Sequence, residues 1–243
     1  MSALNSLFRS RRTNKEDAEH WIGISDMMSG LMMVFLFMAV AYMYYVQVER
    51  ENIKEIAVAY KDTQVAIYND LMKEFQELLP RWNAEIERNT LEITFNNPEV
   101  LFRAGSPELN GQFKNILSDF FPRYVAVLSR YRSAIEEIRI EGHTSSDWGG
   151  LHGEKAYFPN MALSQDRTRS VLEYVMALLP EASERDWVRS NFAAVGYSSS
   201  RRVMDPDKQI ENAARSRRVN FRVITNSELQ IRNIIERLDG NQV

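Results

Sequence analysis

Apolar and polar residues fall along this chain in three regimes. Residues 1–20 are polar and predict a short, loosely ordered tail. From Ile22 to Val46 the side chains are apolar or small, with Asp26 the one acidic or basic group. A hydrocarbon core needs about 20 apolar residues in a helix, so 21–46 predicts one membrane-spanning helix with some tilt. Beyond it, Ile53, Ile56, Tyr60, Ile67, Leu71, Phe75 and Leu78 recur at helical spacing between charges. That predicts a helical linker over 47–89, ended or kinked at Pro80. Its stripe must be covered, either by its copy in a second chain or by the domain that follows.

From Leu91 the period changes to two. Leu91, Ile93 and Phe95 alternate with polar residues as a half-buried strand does. Asn96-Asn97-Pro98 and Gly105-Ser106-Pro107 read as turns around a short apolar run, Val100 to Phe102. A helix is predicted from about Glu108 to Ser133, kinked or split at Pro122. Ile135, Ile138 and Ile140 lead a strand into Gly142-His143-Thr144, followed by an irregular, Ser- and Gly-rich insertion over 145–160. A helix from Leu163 to Leu179, strands at 192–195 and 219–223, and a terminal helix at 227–238 complete the chain. The order βα-βα-β-β-α places 90–243 in the α+β class, with helices over a small mixed sheet.

The position of Asp26 leaves two readings. Ser25 or Asp26 could cap a helix starting at Met27. Alternatively Trp21 sits at the headgroup level, where indoles are favoured, and Asp26 lies about 7 Å deeper along the axis. The second avoids leaving Trp21, Ile22 and Ile24 in water. A carboxylate inside a span costs about 2.5–3.5 kcal/mol on insertion scales and faces a partner or a watery path. Ser29 and Gly30, on the face of Asp26, allow another helix to approach closely. Ser25 and Ser29 are the neighbouring oxygen donors for a translocated ion. The methionines of this stretch read as apolar filling.

Charge and composition narrow the function. A net charge of −3 without a basic stripe gives no sign of a nucleic-acid partner. With no cysteine, disulfides, thiolate metal sites and thiol nucleophiles are excluded. Arg9, Arg11, Arg12 and Lys15 precede the span, against the sparser Arg50, Lys54 and Lys61 after it. That bias places the amino end inside and makes the span a retained signal anchor, with the carboxyl-terminal part outside the cytoplasm. No P-loop, Gly-rich dinucleotide motif or metal-ligand pair at helical spacing is present, and His20, His143 and His152 have no nucleophile–base constellation. The chain reads as a non-enzyme with no metal or organic cofactor. Arg169, Arg201 and Arg202 read as solvated surface.

Five motifs, LFRAGSPEL (101–109), IEGHTSS (140–146), NMALSQDRTRSV (160–171), AVGYSS (194–199) and ARSRRVNFRV (214–223), resemble the OmpA/MotB peptidoglycan-binding domain in its own order. The amino end, W-x4-D-M-M-x3-M-M-x-F-L, resembles the membrane helix of stator B subunits such as MotB. The whole chain is most similar to the B subunits of the Zorya anti-phage defence system. The resemblance implies a single-pass inner-membrane protein, amino terminus cytoplasmic and carboxyl-terminal domain periplasmic. It implies two B copies inside a ring of five MotA-like A subunits, with Asp26 carrying H⁺ or Na⁺ and the domain binding peptidoglycan. Family members clamp the diaminopimelate of the wall peptide by an Arg and an Asp. Arg167 stands at the position of that Arg. Asn160 and Leu163 shape the same pocket, Thr144 belongs to the Gly-His-Thr motif, and Arg217 matches one of the paired arginines. Ser145 stands where the family has its Asp, and Asp147, two residues on, is the candidate replacement.

Overall fold

A computed structural model describes residues 2–96, 101–103, 105–207, 209–229, 231 and 236, with side chains from Trp21 onward except those of Ile22 and Gly23. The chain forms two compact units, 1–55 and 56–243.

In the first unit everything belongs to one helix, α1 (Ser2–Phe75). Residues 2–20 are helical, against the expected loose tail: they contain no glycine or proline, and Arg, Lys, Glu, Ala and Leu all favour helix. Since α1 is unbroken through 25–27, neither Ser25 nor Asp26 is an N-cap. A stretch long and apolar enough to cross a membrane begins at Ile24.

The second unit is built on a mixed five-stranded sheet of order β1-β2-β5-β3-β4. Its strands are β1 (Ala84–Glu87), β2 (Glu92–Phe95), β3 (Ile135–His143), β4 (Phe192–Gly196) and β5 (Arg218–Thr225). β1, β2, β5 and β3 pair antiparallel in that sequence, while β3 and β4 run parallel. The helices are α2 (Leu79–Trp82), α3 (Gly111–Leu128), α4 (Glu154–Ala177), α5 (Ala182–Asn191) and α6 (Ala213–Ser216). The expected terminal helix is helical over 226–229, and most of the remainder falls outside the described residues.

The core lies where one sheet face, carrying Ile93, Phe95, Ile138, Ile140, Phe221 and Val223, meets α3, α4 and the end of α1. Phe120 is its centre. Its ring lies 5.2 Å from Phe95, 5.1 Å from Phe221, 5.3 Å from Phe75 and 4.9 Å from Tyr124. Ile67, Leu71 and Phe75 are fully buried here, so this end of the linker stripe is covered by its own domain.

Four local outcomes differ from the sequence pattern. α3 is not split at Pro122 but continues through it as one helix: the carbonyl of Ser118 that loses its partner is on an exposed turn open to water, while Phe120, Phe121, Tyr124 and Val125 hold the helix to the core. α4 starts at Glu154, nine residues before its expected start, so only 144–153 is irregular. β1 was invisible because Ala84-Glu85-Ile86-Glu87 offers one strong apolar side chain; pairing with β2 makes it a strand. α5 was missed because Val188 is its only fully buried residue.

Candidate functional site

Two glycines set the position of α4. Gly142 of β3 and Gly196 of β4 are neighbours across the parallel pair. A Cβ on Gly142 would lie 2.8 Å from the Ser164 carbonyl oxygen, and one on Gly196 would lie 2.5 Å from the Gln165 nitrogen. Only bare backbone lets α4 come this close. Ser164 then locks the contact, its hydroxyl accepting from the Ser198 amide at 3.1 Å. Asn160, on the same helix, is thereby aimed at the loop that leaves β3, while Arg167 is aimed at Phe102 and Ser106 before α3.

The loop is held in return. Asn160 Nδ2 donates to the carbonyls of Ser145 and Asp147, both at 3.1 Å. The Ser146 amide donates to the carboxylate of Glu211 at 3.1 Å, and its hydroxyl bonds the same group. Trp148 and Leu151 exchange backbone hydrogen bonds at 3.1 and 2.9 Å around Gly149 and Gly150, whose φ values of 55° and 83° suit glycine.

Between this loop, α4 and the start of α3 opens a cleft of about 940 Å³. All six residues singled out in this domain, Thr144, Asp147, Asn160, Leu163, Arg167 and Arg217, line it. Arg167 is 8% exposed. Its Nε donates to the Ser106 carbonyl at 3.0 Å, and its guanidinium lies 4.7 Å from the centre of the Phe102 ring. Among the described residues no carboxylate pairs with it. Burial, reinforced by the charge of Arg217, brings its pKa down to about 10, so it stays charged at neutral pH. Arg217 reaches the Ser145 hydroxyl at 3.5 Å, and Thr144 Oγ1 is buried without a partner among the described residues. Lys114 adds a cation to the wall, while Glu108 is taken up by Arg103 at 3.0 Å. Asp147 is exposed at the rim. Among the described lining residues cations outnumber free carboxylates, so the cleft suits an anionic ligand with some apolar surface.

Sequence reasoning missed Phe102, Lys114, Trp148 and Glu211. The 101–109 motif pointed to the segment under Arg167, but nothing in its spacing says that backbone carbonyls would receive the guanidinium. Arg201, expected at the solvated surface, is exposed, and its guanidinium also reaches the buried carboxylate of Glu141 at 3.2 Å. His143 stacks on Tyr197, with Nε2 3.6 Å from Glu141. Burial opposes ionisation of Glu141, but the His143 hydrogen bond and the Arg201 charge hold it below the ordinary carboxylate value. Burial pushes the pKa of His143 down despite Glu141. This cluster sits within the sheet and lines no large opening.

In the first unit, Trp21, Ser25, Asp26 and Ser29 border one shallow groove along the helix. Ser29 Oγ donates to the Ser25 carbonyl at 2.8 Å, so its proton is already committed.

No family model matches the sequence. Among solved structures, the chain is similar to a MotB-like protein from Desulfovibrio vulgaris, at 24% identity over 70% of this chain and 94% of that one, TM-score 0.48. The cell wall anchor of the T6SS from Pseudomonas aeruginosa follows at 20% identity, 64% and 97% coverage, TM-score 0.43. The periplasmic domain of Helicobacter pylori MotB is 15% identical, at 65% and 90% coverage, TM-score 0.41. At the level of sequence, the Zorya protein ZorB of Escherichia coli is 55% identical over 222 residues, 91% of this chain and 94% of that one, and the chain therefore belongs to the ZorB family.

Proposed function

We propose that this protein is the B subunit of an ion-driven motor that is anchored to peptidoglycan and acts in anti-phage defence with a MotA-like A subunit. The observation that carries the reading is Asp26, the one carboxylate in the apolar stretch 22–46 of a helix long and apolar enough to span a membrane, on the chain that also bears the cationic cleft. An ionised carboxylate in an enclosed, poorly hydrated place is unfavourable, so a cation neutralises it on one side and its release on the other restores the charge. Each charge crossing 100 mV releases about 2.3 kcal/mol, enough to move surrounding subunits between positions. Two serine hydroxyls are a thin cage for Na⁺, which favours H⁺. One span cannot enclose a path, so five A subunits around two copies of this chain are proposed to supply the walls. In this arrangement the amino terminus is cytoplasmic and the second unit periplasmic.

The cleft is the anchor. A wall-peptide carboxylate meets the guanidinium of Arg167, with Thr144 and Arg217 beside it and Asn160 and Leu163 shaping the walls. Asp147, at the rim, takes the role of the carboxylate that Ser145 lacks, pairing with an ammonium of the ligand.

The test uses two variants in cells challenged with phage. Asp26→Asn keeps the shape and removes the titration: it should be expressed and reach the membrane while protection is lost. Full protection by this variant would leave the chain a passive tether. Arg167→Ala should fail to pellet with purified sacculi. Truncating one partner of a buried charged pair costs about 2–5 kcal/mol, so undiminished pelleting removes Arg167 from the site.

A further inference from the structure

The cleft offers more than a place for a carboxylate. At about 940 Å³ it lies near the top of the roughly 300–1,000 Å³ range of small-molecule sites. Part of its wall is Trp148, an indole that belongs to no core cluster and sits half-buried in a loop rich in serine and glycine. The loop around it is fixed from several directions. Asn160 grips Ser145 and Asp147, Glu211 grips Ser146, and Leu151 closes the turn behind Trp148. A large rigid ring held at a cleft mouth without contributing to the core is pre-organised for a ligand with an apolar face.

We infer that Trp148 is a specificity-determining contact that takes a pyranose ring: the sugar that carries the wall peptide stacks on the indole while the peptide carboxylate reaches Arg167. A pyranose has a C–H face that stacks on an aromatic ring and a hydroxyl edge that stays hydrated. The neighbouring Asp147, exposed at the rim, can accept from those hydroxyls. Leu151, bridged to Trp148 across the turn, is 45% exposed and leaves the cleft wall to the indole. The inference rests on the wall-binding reading and adds that the protein recognises the glycan–peptide junction in preference to the peptide alone.

The experiment titrates the intact, detergent-solubilised chain with two probes, a free stem peptide and the same peptide attached to its disaccharide. The wild type should bind the disaccharide form more tightly. Trp148→Ala should weaken that probe about tenfold while leaving the free peptide unchanged, and Trp148→Tyr should recover most of the difference. Equal affinity of the wild type for both probes, equal losses for both in Trp148→Ala, or no loss at all would each overturn the inference while leaving wall binding intact. Binding of neither probe by the wild type would instead overturn the wall-binding reading, and this one with it. A Trp148→Ala protein that unfolds leaves the decision to Trp148→Tyr and Trp148→Leu. Both fill the space, and only the first should keep the preference for the disaccharide probe.

Discussion

Gly196→Ala tests whether the contact between α4 and the parallel strand pair positions the candidate site. The added methyl would stand 2.5 Å from the Gln165 nitrogen, 2.6 Å from its Cγ and 2.6 Å from the Ser164 hydroxyl. Ordinary contact begins near 3.4 Å, so α4 must withdraw by about 1 Å, and backbone rather than a flexible side-chain end has to give. Overpacking of this kind costs about 1–3 kcal/mol. The withdrawal also pulls Ser164 away from the Ser198 amide, adding about 0.5–1.5 kcal/mol for a lost hydrogen bond. Together they predict about 1.5–4.5 kcal/mol, read as a lower urea midpoint at unchanged slope by tryptophan fluorescence. Arg167 follows Ser164 by one turn and should move with it, so sacculus binding should fall even where the protein is fully folded. Gly111→Ala is the control. Nothing lies within 4 Å of its would-be Cβ, and alanine is the better helix former, so it should be neutral or mildly stabilising. If Gly196→Ala matches the wild type within about 0.5 kcal/mol and binds sacculi normally, α4 is not positioned by this contact.

Phe75→Ala empties a site between Phe120 at 5.3 Å and Trp82 at 5.8 Å and should cost about 3–5 kcal/mol. The loss should not depend on protein concentration, because this part of the stripe packs within its own chain; a concentration-dependent loss would point to a second copy. Acidification should destabilise the second unit through His143. Burial lowers its folded pKa, so below the ordinary value of 6.5 the unfolded chain takes up the proton first and stability falls. Glu141, held low, adds the same sense below 4.5, whereas Glu92, pushed up chiefly by burial, is relieved by acid. His143→Gln should flatten the limb of unfolding midpoint against pH between 6.5 and 4.5, and an unchanged limb would exclude the imidazole as its source.

The sequence by itself determined the elements whose signal is local. A long apolar run with Asp26 near its start announces a membrane-length helix whatever else the chain does, because the requirement is length and polarity alone. Ile93 and Phe95, Ile138 and Ile140, and the apolar face of α3 likewise report their faces through period. Motif order alone points to Arg167, Asn160 and Thr144. Tertiary structure decided what depends on partners distant in sequence. Ala84–Glu87 becomes a strand only because β2 lies beside it, and α3 survives Pro122 only because the core grips both sides of it. Arg201 stays exposed, yet it pairs with a buried carboxylate 60 residues away that no local pattern links to it. The fate of the linker stripe had two answers in the sequence, and for Ile67, Leu71 and Phe75 the domain core supplies one. The cleft itself belongs to this second class. Its breadth, its unpaired guanidinium and its indole follow from two glycines that bring α4 against the sheet and from an asparagine that holds the loop above it, contacts between distant segments that no local pattern encodes.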